Sequence, residues 1–157
     1  MSIERVRAYL AERGVADRIR EFDVSSATVE LAAAALGVEG ARIAKSLSYL
    51  VDGHAVIVVC AGDARVANPK FKAAFHAKAK MLSPEQAVEL TGHAVGGVCP
   101  FAVREGCEVY LDESLRRFEM VYPACGSSNS AIGLSIAELE ELARPVGWVD
   151  VCRLPEE

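Results

Sequence analysis

Three stretches carry residue types that can do chemistry, and none contains a known nucleophile motif. In IAKSLSYLV (43–51), a period of two puts Ile43, Lys45, Leu47, Tyr49 and Val51 on one face. An ammonium group on that apolar face is costly unless it finds a partner or reaches water. Two readings stay open: a lysine near a strand end that snorkels outward, or one held at the mouth of a pocket. In GHAVGGVCPFA (92–102), three glycines and then a proline interrupt an apolar run. Such a loop can turn successive N–H groups toward an anion or a carbonyl oxygen, or it can simply form a tight turn. In CGSSNSAIGL (125–134), the hydroxyls and the amide can bind a ligand or close hydrogen-bonded turns.

Several familiar constellations are missing from the chain. It has no GxGxxG, no Walker loop, no HExxH and no GxSxG. The five cysteines (Cys60, Cys99, Cys107, Cys125, Cys152) are scattered, without a CxxC pair, and the three histidines add no close ligand spacing. The spacing therefore gives no reason to expect a metal site.

The formal net charge of −5 does not announce a nucleic-acid binder, but its distribution is uneven. Between Ala64 and Pro84 no acidic residue occurs, while Arg65, Lys70, Lys72, Lys78 and Lys80 all do. This stretch is either a solvated helix face or a local patch for a few phosphates.

The elements that must position these residues follow from local signals. Ser2 is expected to cap a first helix, IREFD (19–23) to form a short strand, and TVELAAAALG (28–37) a helix stopped by Gly37. SLSYLV and AVIVVCA read as a hairpin closed by Asp52-Gly53. Asn68-Pro69 reads as N-cap and first helical position. Ser83…Gln86 and Ser135…Glu138 have the capping-box spacing. CEVYL, EMVYPA, AIGLS and VGWVDVC complete the strands. Frequent hairpins without strict strand–helix alternation predict an α+β fold, with a mainly antiparallel, barrel-like sheet and surrounding helices.

With 157 residues, 52% of them hydrophobic, one domain spanning 1–157 is expected. No apolar run reaches membrane length, and MSIERVRAYL lacks the apolar core of a signal peptide. A cytoplasmic monomer is the expectation.

The order of IAKSL, GHAVGGVCP and GSSNSAIGLSIAELEEL, from the first helix to about Val151, resembles the YbaK/ProX aminoacyl-tRNA deacylases. These share their fold with the editing insertion domain of bacterial prolyl-tRNA synthetase. The resemblance implies trans-editing: hydrolysis of the ester joining a wrong, small amino acid to tRNA, with tRNA(Pro) as the implied carrier. It implies that Lys45 positions the 3′-terminal adenosine and its phosphate. Gly96, Gly97, Val98, Cys99 and Pro100 match the family's GxxxP loop, whose amides hold the aminoacyl carbonyl. The substrate's own 2′-hydroxyl assists water.

Partners implied are aminoacyl-tRNA and prolyl-tRNA synthetase, with Ser127 as a substrate contact and Lys70, Lys72, Lys78 and Lys80 as a tRNA-facing surface. The chain departs from the pattern at Cys99, where many relatives carry serine, and at Ser127, Ser128 and Asn129, which replace a glycine- and lysine-containing stretch. The competing class is a non-catalytic module of the same fold that binds tRNA or a synthetase. Schiff-base chemistry at Lys45 would require an amine neutralised by burial, and no carbonyl-substrate signature accompanies it.

Overall fold

The computed structural model describes residues 2–155. In chain order the helices are α1 (Ile3–Ala11), α2 (Val29–Leu36), α3 (Asn68–Phe75), α4 (Pro84–Thr91) and α5 (Ile136–Ala143). The strands are β1 (Arg20–Glu21), β2 (Ile43–Val51), β3 (His54–Ala61), β4 (Arg65–Val66), β5 (Glu108–Asp112), β6 (Met120–Pro123), β7 (Ser130–Ala131), β8 (Leu134–Ser135), β9 (Gly147–Val149) and β10 (Cys152–Arg153). Six of them form a curled, mixed sheet in the order β8-β6-β2-β3-β5-β9. The antiparallel β2–β3 pair is its spine. β6, β5 and β9 join in parallel, and β1–β7 and β4–β10 form two small antiparallel ladders.

Strand β3 is an unbroken apolar run from Ala55 to Ala61 because it is buried on both faces, between β2 and β5. Its hairpin with β2 turns at Asp52 (φ 50°) and Gly53 (φ 82°), the two left-handed residues a two-residue turn of this hand requires. α3 is fastened to the sheet by a run of rings, Tyr49–Phe71–Phe75–Tyr110, with centroids 4.7, 4.7 and 5.0 Å apart. α1 buries Val6 and Leu10, and its Tyr9 hydroxyl donates to the Leu142 carbonyl at 2.6 Å, which ties it to α5.

Both capping boxes form as the spacing predicts. Other local expectations are corrected. The Ser2 hydroxyl does not cap α1, because it is engaged with His93 and the Gly126 carbonyl. The N-cap of α3 is Ala67 rather than Asn68, which moves Pro69 to the second helical position. IREFD pairs only at Arg20–Glu21. AIGLS is two short strands in different sheets, broken at Ile132-Gly133, where the Tyr122 ring occupies the space a Gly133 side chain would need. VGWVDVC divides likewise between β9 and β10.

Candidate functional site

The outer edge of β2 is covered at both ends and open in the middle. β6 pairs only with Ile43 and Ala44. Residues 80–82 run beside the far end, where Leu50 N–H donates to the Lys80 carbonyl and Leu82 N–H to that of Ser48. Among the described residues no strand pairs with Lys45, Ser46 or Leu47 on that side. A cavity of about 300 Å³ occupies the gap. Its walls come from Ser26–Val29 at the head of α2, residues 43–48 of β2, Met81 and Leu82, the glycine loop at Val95, Gly96 and Val98, and Tyr122, Ala124 and Ser130.

A second, more open groove of about 630 Å³ adjoins it, lined among others by Gly62, Asp63, Ala64, Arg65 and Arg153. Lys45 lines both. Its side chain is half-buried, and Nζ donates to the Ala64 carbonyl at 2.5 Å and the Gly62 carbonyl at 3.4 Å. An ammonium has three N–H donors, so one stays available to a ligand. Asp63 sits in the same groove as a carboxylate. Its two oxygens accept from Arg117 at 2.6 and 3.1 Å, and that bond, helped by the nearby Lys45 charge, holds its carboxyl below the usual range.

The two loops singled out by composition pack directly on one another. A Cβ at Gly97 would lie 2.9 Å from Gly126 C and from Ser127 N, so only glycine allows this approach. Gly96 has φ +92°, also a glycine conformation. Gly97 N–H closes a turn onto the Ala94 carbonyl. The N–H groups of Gly96, Val98 and Cys99 find no acceptor among the described residues. Of these three residues Gly96 and Val98 line the cavity, where an unpaired backbone N–H can meet an anion or a carbonyl oxygen. The late loop is clamped in turn to the segment before α2: Ser26 N–H donates to the Ser128 carbonyl, and Asn129 exchanges two hydrogen bonds with Phe22.

Cys99 and Pro100 are buried and are not among the residues that line the cavity. Burial pushes the Cys99 thiol up to about 12, so it is not a thiolate nucleophile. Ser127 is also turned inward, its hydroxyl held by Asn129 and Ser130, and Ser130 rather than Ser127 lines the wall. Lys70 donates to Asp150 and to the Cys152 carbonyl. Lys72 and Lys78 are exposed around a separate groove of about 540 Å³, and Lys80 is exposed near Met81. Among the described residues no three His, Cys, Asp or Glu side chains converge to hold a metal ion.

Sequence reasoning weighed His93 only as a metal ligand, yet it braces the glycine loop from behind. It is wholly buried; Nε2 donates to the Phe101 carbonyl at 2.8 Å, and Nδ1 accepts from the Ser2 hydroxyl at 2.5 Å. Desolvation lowers its pKa from 6.5 to about 4, so it is neutral at physiological pH. The unfolded chain therefore takes up this proton first on acidification. The stability that neutral His93 confers is complete above pH 6.5 and is lost as pH falls toward 4, to the extent of about 3 kcal/mol. Urea unfolding at pH 7 and pH 4 should show that loss in the wild type and much less of it in His93→Gln. Equal acid sensitivity would remove His93 as the cause.

The model of the family described as "Aminoacyl-tRNA editing domain" matches residues 24–142. Bacillus subtilis (strain 168) has a relative, "Uncharacterized protein YwhH", 50% identical over 154 residues that cover 98% of each chain. A proline–tRNA ligase of Lysinibacillus sphaericus (strain C3-41) is 34% identical over 90 residues, 57% of this chain and 16% of the ligase. A crystal structure described as a candidate trans-editing enzyme for prolyl tRNA synthetase superposes with a TM-score of 0.87 at 29% identity, covering 97% of both chains. No helix among the described residues is long and apolar enough to cross a membrane. On the matched span and these likenesses, the chain belongs to the aminoacyl-tRNA editing domain family.

Proposed function

We propose that this protein is a trans-editing deacylase that hydrolyses the ester of a mischarged tRNA, carrying a small amino acid on tRNA(Pro). One observation carries the reading: Lys45 lines both the smaller cavity and the larger groove, and shares the smaller one with Gly96 and Val98, whose N–H groups have no acceptor among the described residues. The amino acid enters the smaller cavity, and the ribose and phosphate lie in the larger groove. Lys45 then holds the sugar–phosphate at the junction while the amides of Gly96 and Val98 receive the carbonyl oxygen. Cys99 and Pro100 fix the loop from the inside, and Ser127 shapes the wall that Ser130 presents.

An aminoacyl ester is already activated, so positioning and electrostatic stabilisation can supply the acceleration without a protein nucleophile. The substrate's 2′-hydroxyl and a water complete the chemistry, with no metal or cofactor in the scheme. A cavity of about 300 Å³ suits a small side chain, the class a synthetase pocket rejects poorly by binding alone. Lys72, Lys78 and Lys80 give the tRNA body a basic surface, and Lys70 contributes from beside them. In this reading the protein works as a cytoplasmic monomer, alongside prolyl-tRNA synthetase.

The test is a panel of tRNAs charged with non-cognate amino acids, assayed for release of the free amino acid. Cleavage of at least one small aminoacyl ester on tRNA(Pro) is expected. Tight tRNA binding with no cleavage across the panel would make the protein a binding module of the same fold.

A further inference from the structure

The ladder between β4 and β10 sets Cys152 opposite Val66 and Arg153 opposite Arg65. Directly opposed residues of an antiparallel pair project to the same face. Cys152 and Val66 turn toward the core, which sends both arginines outward, and both are exposed. Two like charges opposed in this way disfavour the ladder they sit on. Neither guanidinium has a carboxylate partner among the described residues. Both line the open groove whose inner end is Lys45. The groove also holds Asp63, which is committed to Arg117, and Glu30 of α2. Among the described residues of the groove lining, the remaining cations, Lys45, Arg65 and Arg153, thus share one space with a single uncommitted carboxylate.

We infer that Arg65 and Arg153 form a phosphodiester subsite, which grips the backbone leading into the terminal nucleotide while Lys45 takes its inner end. The inference rests on the deacylase reading for the identity of the chain that enters the groove. Opposed guanidinium forks fit a phosphate better than any monovalent contact, since each offers paired N–H donors to its oxygens. The bound phosphate relieves the repulsion that the free ladder carries. Arg153 lies beyond the segment matched by the family, on a strand that reaches the groove only by pairing with β4.

The experiment uses an uncharged acceptor minihelix ending in CCA, its 5′ end labelled, titrated by anisotropy across a range of KCl concentrations. Arg65→Gln, Arg153→Gln and the double variant are compared with wild type. The double variant should bind at least tenfold more weakly at low salt, with the slope of log affinity against log salt reduced by about 0.7 for one lost single-strand phosphate contact. Its thermal midpoint at low salt should hold or rise, because an opposed like-charge pair has been removed. In hydrolysis, the kcat/KM advantage of aminoacyl-minihelix over aminoacyl-adenosine, which lacks the phosphodiester, should shrink by a similar factor. Wild-type affinity and slope in the double variant would overturn the subsite, as would a lowered midpoint with binding unchanged. A wild type that grips the minihelix through these arginines but hydrolyses no ester keeps the subsite and loses the deacylase reading. A wild type that hydrolyses esters, with arginine variants binding normally, does the reverse.

Discussion

Lys45→Ala is expected to slow hydrolysis of the mischarged tRNA by about 10²-fold or more, because misplacing a reacting group by about 1 Å already costs that much. The folded state should survive. The truncation removes two hydrogen bonds to the Gly62 and Ala64 carbonyls, both on the rim of an open groove where water can replace the ammonium. The stability cost should therefore be about 1 kcal/mol. Lys45→Arg keeps the charge, but a planar fork cannot reproduce a compact donor seated between those two carbonyls, so its rate should fall between the other two proteins. Single-turnover deacylation with urea unfolding of the same samples separates the effects. Full activity in a folded Lys45→Ala protein would end the role assigned to this lysine.

The second large effect is expected at Gly62. A Cβ there would lie 2.1 Å from the carbonyl oxygen of Gly40 and 2.9 Å from Cγ1 of Val29. Gly40 opens the turn that feeds β2, and Val29, the first residue of α2, lines both the cavity and the groove. A backbone carbonyl cannot rotate aside as a side chain can. Gly62→Ala should cost about 3 kcal/mol, the upper part of the usual range for overpacking. It should also impair deacylation in the fraction that folds, because the displaced Gly62 carbonyl is one of the two holding Lys45. Gly147→Ala is the matched comparison, with nothing within 4 Å of the added carbon and no left-handed backbone. Its unfolding midpoint should stay close to wild type. A Gly62→Ala protein as stable and active as Gly147→Ala would show that the two turns are not in tight contact.

Local grammar made part of this molecule legible in advance. The Asp52-Gly53 turn, Gly37 and Gly92 as left-handed helix ends, and both capping boxes depend on residues within a few positions of one another. The lysine was visible because its charge breaks an apolar pattern, and the glycine loop because three glycines have few other uses. What holds Lys45 was not visible: its acceptors lie 17 and 19 residues away, across a hairpin and a turn. The parallel joins of β6 to β2 and of β5 to β3 have no sequence signature of their own, so the open edge at Lys45–Leu47 could not be read from the chain. The inward seats of Cys99 and Ser127 depend on contacts with His93 and Ser130, which only the folded loops create. Arg153 escaped notice because its opposition to Arg65 joins two short strands far apart in sequence.

The dispersed walls of the smaller cavity bear on when the protein becomes competent during its synthesis. A nascent chain that has emerged only as far as Pro100 already contains Lys45 and the whole glycine loop. It still lacks Tyr122, Ala124 and Ser130, and with them the surface against which Gly97 rests. Because β6 must return to the edge of β2 across more than half the chain, that closure belongs to the late, long-range phase of folding. An incomplete polypeptide therefore has the charge without the chamber, whose walls are complete only once the last third of the chain is present.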